Sequence, residues 1–99
     1  MDNPNMPGML KQLRQMQKDL VKAQKELAKE TVSTEVGGVT VTITGDQRLT
    51  DLEISMDLLA QRDPAKLTKS IKEAVNQALE ESRKLAQDRL GPLSSGLSF

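Results

Sequence analysis

The sequence predicts an α+β fold, with a helix, a three-stranded antiparallel meander and a second helix in that order. Three observations carry the prediction. Met6, Met9, Leu13, Met16, Leu20, Ala23 and Leu27 alternate spacings of three and four, which puts them on one stripe of a helix. From Thr31 the period changes to two, with β-branched residues on both sides of Gly37-Gly38. Asp63-Pro64 and Gly91-Pro92 then bracket a second stretch of helical spacing.

Pro7 and Gly8 place the regular start of the first helix near Met9, because proline cannot donate to an intrahelical bond. Val21 and Ala28 widen its stripe. Three heptads are too short for a free coiled coil, so this helix is expected to pack on a sheet and a partner helix. Val32, Thr34 and Val36 alternate with Thr31, Ser33 and Glu35, and Val39, Val41 and Ile43 alternate with threonines. Gly37-Gly38 between them reads as a hairpin, since both turn positions need positive φ. Gly45-Asp46 reads as a second turn and Arg48 to Ile54 as a third strand. Leu49, Leu52 and Ile54 break strict alternation there, which predicts a bulge or local twist. The stretch that follows, with Asp57, reads as a loop. Asp63 at the N-cap and Pro64 at the first helical position open the second helix, and Gly91-Pro92 reads as its stop. Leu67, Ile71, Ala74, Val75, Ala78, Leu79, Leu85 and Ala86 occupy one broad face of it. The expected organisation is a disordered N-terminus over 1–8, a single domain over 9–91 and a flexible tail over 92–99.

With 99 residues, a single Phe99 and no Trp or Tyr, the core must be thin and aliphatic. A monomer of this kind is marginal, so a core shared between two copies of the chain is expected. Met9, Leu13, Met16, Leu20 and Leu27 are the candidate core and dimer-seam residues, and Asn76 is a candidate for setting register at the seam edge. The chain has no Cys and no His, which removes disulfides, thiolate nucleophiles and imidazole ligands. No metal and no cofactor are expected. Asp51 with Glu53, and Asp57 near Asp63, lack the setting of an acid–base couple, and Gly37-Gly38 lacks the spacing of a phosphate loop. These features point away from an enzyme and from a small-molecule substrate. No apolar run approaches the roughly 18 residues of a membrane span, and residues 1–8 lack the apolar centre of a signal peptide. A cytoplasmic location and no membrane partner are expected.

Fourteen basic and fourteen acidic residues cancel, yet they are segregated along the chain. Met9 to Lys29 holds six basic residues against Asp19 and Glu26, whereas Glu30 to Asp63 holds seven acidic residues against Arg48 and Arg62. At 100° per residue, Lys11, Arg14, Lys18, Lys22, Lys25 and Lys29 fall within an arc of about 80° opposite the Met/Leu stripe. Such a row can follow DNA phosphates over several base pairs, or simply keep the helix soluble. Lys69, Lys72, Asn76 and Arg83 project along one edge of the second helix, and its three basic residues Lys69, Lys72 and Arg83 are secondary candidates for DNA contact.

The same residues carry a resemblance over roughly Met9 to Gly91. Met9-Leu10-Lys11-Gln12 through Met16-Gln17-Lys18, then Gly37-Gly38-Val39, Gly45, Leu52-Glu53-Ile54 and Ala74-Val75-Asn76-Gln77-Ala78 resemble the YbaB/EbfC family of bacterial nucleoid-associated proteins. The chain departs from that family's pattern at Thr40, at Asp46-Gln47, and at Ser55 with Met56, changes that leave the hairpin less basic. The resemblance implies a tweezer-like homodimer in the nucleoid, binding duplex DNA with little sequence preference. The alternative reading is an interaction or chaperone-like module, because helix, hairpins and helix is also the layout of prefoldin-type subunits. Those have much longer coiled-coil arms.

Overall fold

A computed structural model describes residues 6–94. Helix α1 spans Met6–Lys29, strands β1, β2 and β3 span Thr31–Val36, Val39–Thr44 and Leu49–Ile54, and helices α2 and α3 span Met56–Ala60 and Pro64–Ser94. The strands form one antiparallel sheet in the order β1-β2-β3. The α+β class and the order of helix, meander and helix are as the sequence predicts.

The β1–β2 hairpin closes on the pair Val36 and Val39, with Gly37 at φ 58° and Gly38 at φ 95°. Non-glycine residues rarely adopt this left-handed backbone, which is why the turn carries two glycines. Val39, Val41 and Ile43 turn inward and are almost fully buried, forming a core with Leu58, Ala74 and Ala78. α3 lies over β1 and β2. Its contact line is Ser70, Ala74, Ala78 and Ser82, one residue every four, all buried. These small residues let the helix approach the sheet closely. Leu67, Ile71, Val75 and Leu79 flank the line and are partly buried. Two buried hydroxyls join helix to sheet, Thr34 Oγ1 donating to the Ala74 carbonyl at 3.0 Å and Ser82 Oγ to the Thr44 carbonyl at 2.8 Å.

Several boundaries differ from those read in the sequence. α1 starts at Met6 rather than Met9, because Pro7 falls in the first turn, where the missing N–H has no intrahelical acceptor to lose. α3 does not stop at Gly91-Pro92 but continues to Ser94. Gly91 is not among the left-handed glycines, so it is no cap, and Pro92 so near the end forfeits one hydrogen bond. The parts of the proposed disordered N-terminus and flexible tail at 1–5 and 95–99 lie outside the described residues, whereas residues 6–8 and 92–94 are helical.

The second turn differs in detail as well. Gln47, not Gly45, is left-handed, at φ 65°, and Thr44 Oγ1 ties the turn by donating to Asp46 and accepting from the Arg48 N–H. The irregularity expected in the third strand is present. Thr42 pairs with Asp51 and Ile43 with Leu49, which leaves Thr50 as the extra residue of a bulge. The segment read as a loop contains α2, whose N-cap Ser55 accepts from the Leu58 N–H at 3.1 Å. Asp63 does cap α3, accepting from the Lys66 N–H at 3.1 Å.

Candidate nucleic-acid interface

α1 is held at its C-terminal end. Leu27 is buried, and the Gly45 N–H donates to the carbonyls of Leu27 and Glu30, both at 2.9 Å. A Cβ at Gly45 would stand 2.8 Å from the Leu27 carbonyl oxygen, so only glycine admits this approach. Glu30 accepts from the Arg89 guanidinium at 2.9 and 3.2 Å, a two-point pair that joins the end of α1 to α3. From this root α1 projects outward, in a molecule 75 Å long and 21 by 16 Å across.

Along that projection the six basic residues are all exposed. Lys11 to Lys29 spans about 27 Å of helix at 1.5 Å per residue. Among the described residues, ion pairs join Lys84 to Glu81 and Arg89 to Glu30, and neither takes a cation from this row. Asp19 sits on the flank and accepts from the Gln15 side chain at 3.0 Å. Arg14, Lys18, Lys22 and Lys25 surround Val21 in a shallow depression along the row. Six unpaired cations on one face create a positive potential suited to a linear polyanion.

The other candidates line depressions different from the one along this row. Lys69, Lys72 and Asn76 share a depression with Pro64, Ala65, Thr68 and Glu73 near the start of α3. Arg83 lines a different one, between α1, the β2–β3 turn and α3. Lys72 and Arg83 are about 17 Å apart along the helix. Asn76 is exposed, so within one chain it fixes nothing. Glu35, Asp51 and Glu53 lie on the sheet face turned away from α3, which makes that face unsuited to phosphate.

The core and seam candidates divide in the same way. Leu27 is buried and Met16 and Leu20 half-buried, but Met9 and Leu13 are 55% and 51% exposed. A second apolar surface was not read from the sequence. α3 leaves β3 uncovered, so Leu49 and Leu52 stay exposed beside it, and α2 adds Met56 and Leu59. Its signal in the sequence is the same loss of alternation at Leu49 and Leu52 that predicts a bulge or local twist.

Residues 1–97 match the family model of the YbaB/EbfC DNA-binding family. The nucleoid-associated protein jk2011 of Corynebacterium jeikeium is 35% identical, over 99% of this chain and 96% of its own length. A nucleoid-associated protein of Streptomyces griseus is 40% identical over 95% of this chain and 84% of its own. A crystal structure of the uncharacterized protein HP0035 from Helicobacter pylori superposes with a TM-score of 0.68 at 21% identity, covering 100% of this chain and 99% of that one, and it shares the fold. No described helix is long and apolar enough to cross a membrane, and no cluster of potential metal ligands occurs among the described residues. The matched family is a DNA-binding family. On its match to that model over residues 1–97 and its similarity to these relatives, the chain belongs to the YbaB/EbfC DNA-binding family.

Proposed function

We propose that the chain acts in the nucleoid as a homodimer, binding duplex DNA with little sequence preference through phosphate contacts from the basic row of α1. The row itself carries the reading: six exposed cations without carboxylate partners among the described residues, on one face of a projecting helix. It is a surface for charge neutralisation. A straight line of lysines has no fixed forks of donors aimed at base edges, so it reads phosphate and not sequence. Lys69, Lys72 and Arg83 are secondary contacts on α3.

Homodimerisation is supported by the uncovered side of β3. The three strands span about 14 Å at 4.8 Å each, more than one helix covers. Leu49, Leu52, Met56 and Leu59 are 54%, 37%, 78% and 47% exposed, a patch of the kind that monomers rarely leave in water. A second copy supplies the missing layer through a two-fold contact of this patch, and the projecting α1 helices then form the arms of a tweezer.

The test is the salt dependence of binding. Each phosphate neutralised contributes a slope of about −0.9 to log K against log salt. Lys18→Ala with Lys25→Ala removes up to four contacts from a dimer and should make that slope shallower by about 2 to 4. Affinity should fall alike on unrelated duplexes, with the circular dichroism spectrum unchanged. A Lys69→Ala, Lys72→Ala pair should do less. Unaltered affinity in the first variant and a large loss in the second would move the surface to α3.

A further inference from the structure

The apolar seam of α1 is covered only near its root. Burial declines steadily along it, from Leu27 through the half-buried Ala23, Leu20 and Met16 to the exposed Leu13 and Met9. Geometry explains the decline. α3 meets the root of α1 around Ala86 and Leu90, which line one depression with Leu27 and Gln24, and α3 ends at Ser94. About 12 Å of α3 remain beyond Ala86, whereas α1 runs about 27 Å from Leu27 to Met9. Among the described residues, the outer part of a continuous helix–helix seam is thus left without a partner helix.

We propose that this tip, Met9 and Leu13 with the adjoining Leu10, is a second self-association surface, on which α1 of one homodimer pairs with α1 of another. The inference rests on the homodimer reading and adds to it a contact between dimers. Three features favour a second copy as the occupant. The spacing of three and four is that of a seam filled by another helix, and the inner part of the same seam already packs on one. The seam edges at the tip are Gln12, Gln17 and Asp19, so pairing two tips brings no cations together. The lysine row lies on the far side, and tip pairing leaves it free for phosphate. Two heptads make a weak contact, so it forms chiefly where dimers are concentrated, as along one duplex. Dimers linked in this way hold two DNA segments together.

The experiment compares the parent chain with a Met9→Gln, Leu13→Gln variant by sedimentation velocity from low to high micromolar concentration. The parent should pass from dimer to tetramer and larger species, and the variant should remain a dimer with an unchanged far-ultraviolet spectrum. In a second measurement an immobilised duplex captures a labelled free duplex. The variant should bind a single duplex within two-fold of the parent and lose capture at least ten-fold. A parent that stays dimeric at every concentration overturns the proposal. So does a variant that sediments as a monomer, which would put the tips inside the homodimer seam, or one that captures duplex as well as the parent. If the parent assembles and the variant does not, yet neither binds DNA, tip pairing stands and the DNA reading falls.

Discussion

α3 packs on the sheet from Leu67 to Ser82, whereas α1 is covered only along its inner half, from Met16 to Leu27. Both helices are amphipathic, but only α1 sets its cations in one row opposite the apolar face. The difference lies in the residues at the contact. α3 presents serine and alanine every four residues, with larger aliphatics on either side, which suits a flat sheet at close range. α1 presents long leucines and methionines in a narrow stripe, which suits another helix, and only Leu27 is fully buried by this chain. An amphipathic pattern therefore specifies that a face is to be covered. The size of the residues on that face points to what covers it.

Substitutions at the two ends of α1 test this contrast most directly. Leu27→Ala removes a buried side chain beside Gly45 and should cost about 2–4 kcal/mol of stability. Leu13→Ala, the same change at the exposed tip, should cost less than about 1 kcal/mol. Urea unfolding of both variants at low micromolar concentration measures the gap. Equal losses would mean that α1 is covered along its whole length in solution.

On α3 the expected effects are smaller. Ser82→Ala deletes the hydroxyl that donates to the Thr44 carbonyl at 2.8 Å and should cost about 1 kcal/mol, read as a lower midpoint with an unchanged denaturant slope. The smallest effect has the opposite sign. A helical Gly91 with nothing within 4 Å of an added Cβ should gain about 0.5–1 kcal/mol on Gly91→Ala. Were Gly91 a left-handed cap instead, the same change would lower stability. A thermal melt distinguishes the two by the direction of the shift.

Much of this architecture was legible in the sequence, and the misses have physical causes. The Gly37-Gly38 hairpin and the Asp63-Pro64 helix start are local devices whose geometry follows from the residues that form them. Gly45 was read as a turn glycine. Its role is set by Leu27, eighteen residues earlier in the chain, whose carbonyl occupies the space where a Cβ would stand. Ser70 and Ser82 are polar by composition and were not assigned to the core, yet close packing buries both. α2 was missed because five residues show no periodicity, although Ser55 three places before Leu58 is a legible cap. The basic row was readable in full, since helical spacing alone fixes which residues share a face.

By itself, the sequence determined the order of the elements, the two faces of α1 and the segregation of charge, because each follows from local period and chain position. The tertiary structure decided how far α1 stands clear of the fold, which side of β3 remains open, and that Lys69 and Lys72 line a depression separate from the one along the α1 row. Those outcomes depend on where α3 lies across the sheet, and that position is set by the fit of small side chains against β1 and β2. Complementarity of that kind belongs to pairs of surfaces and is not written in the spacing of either one.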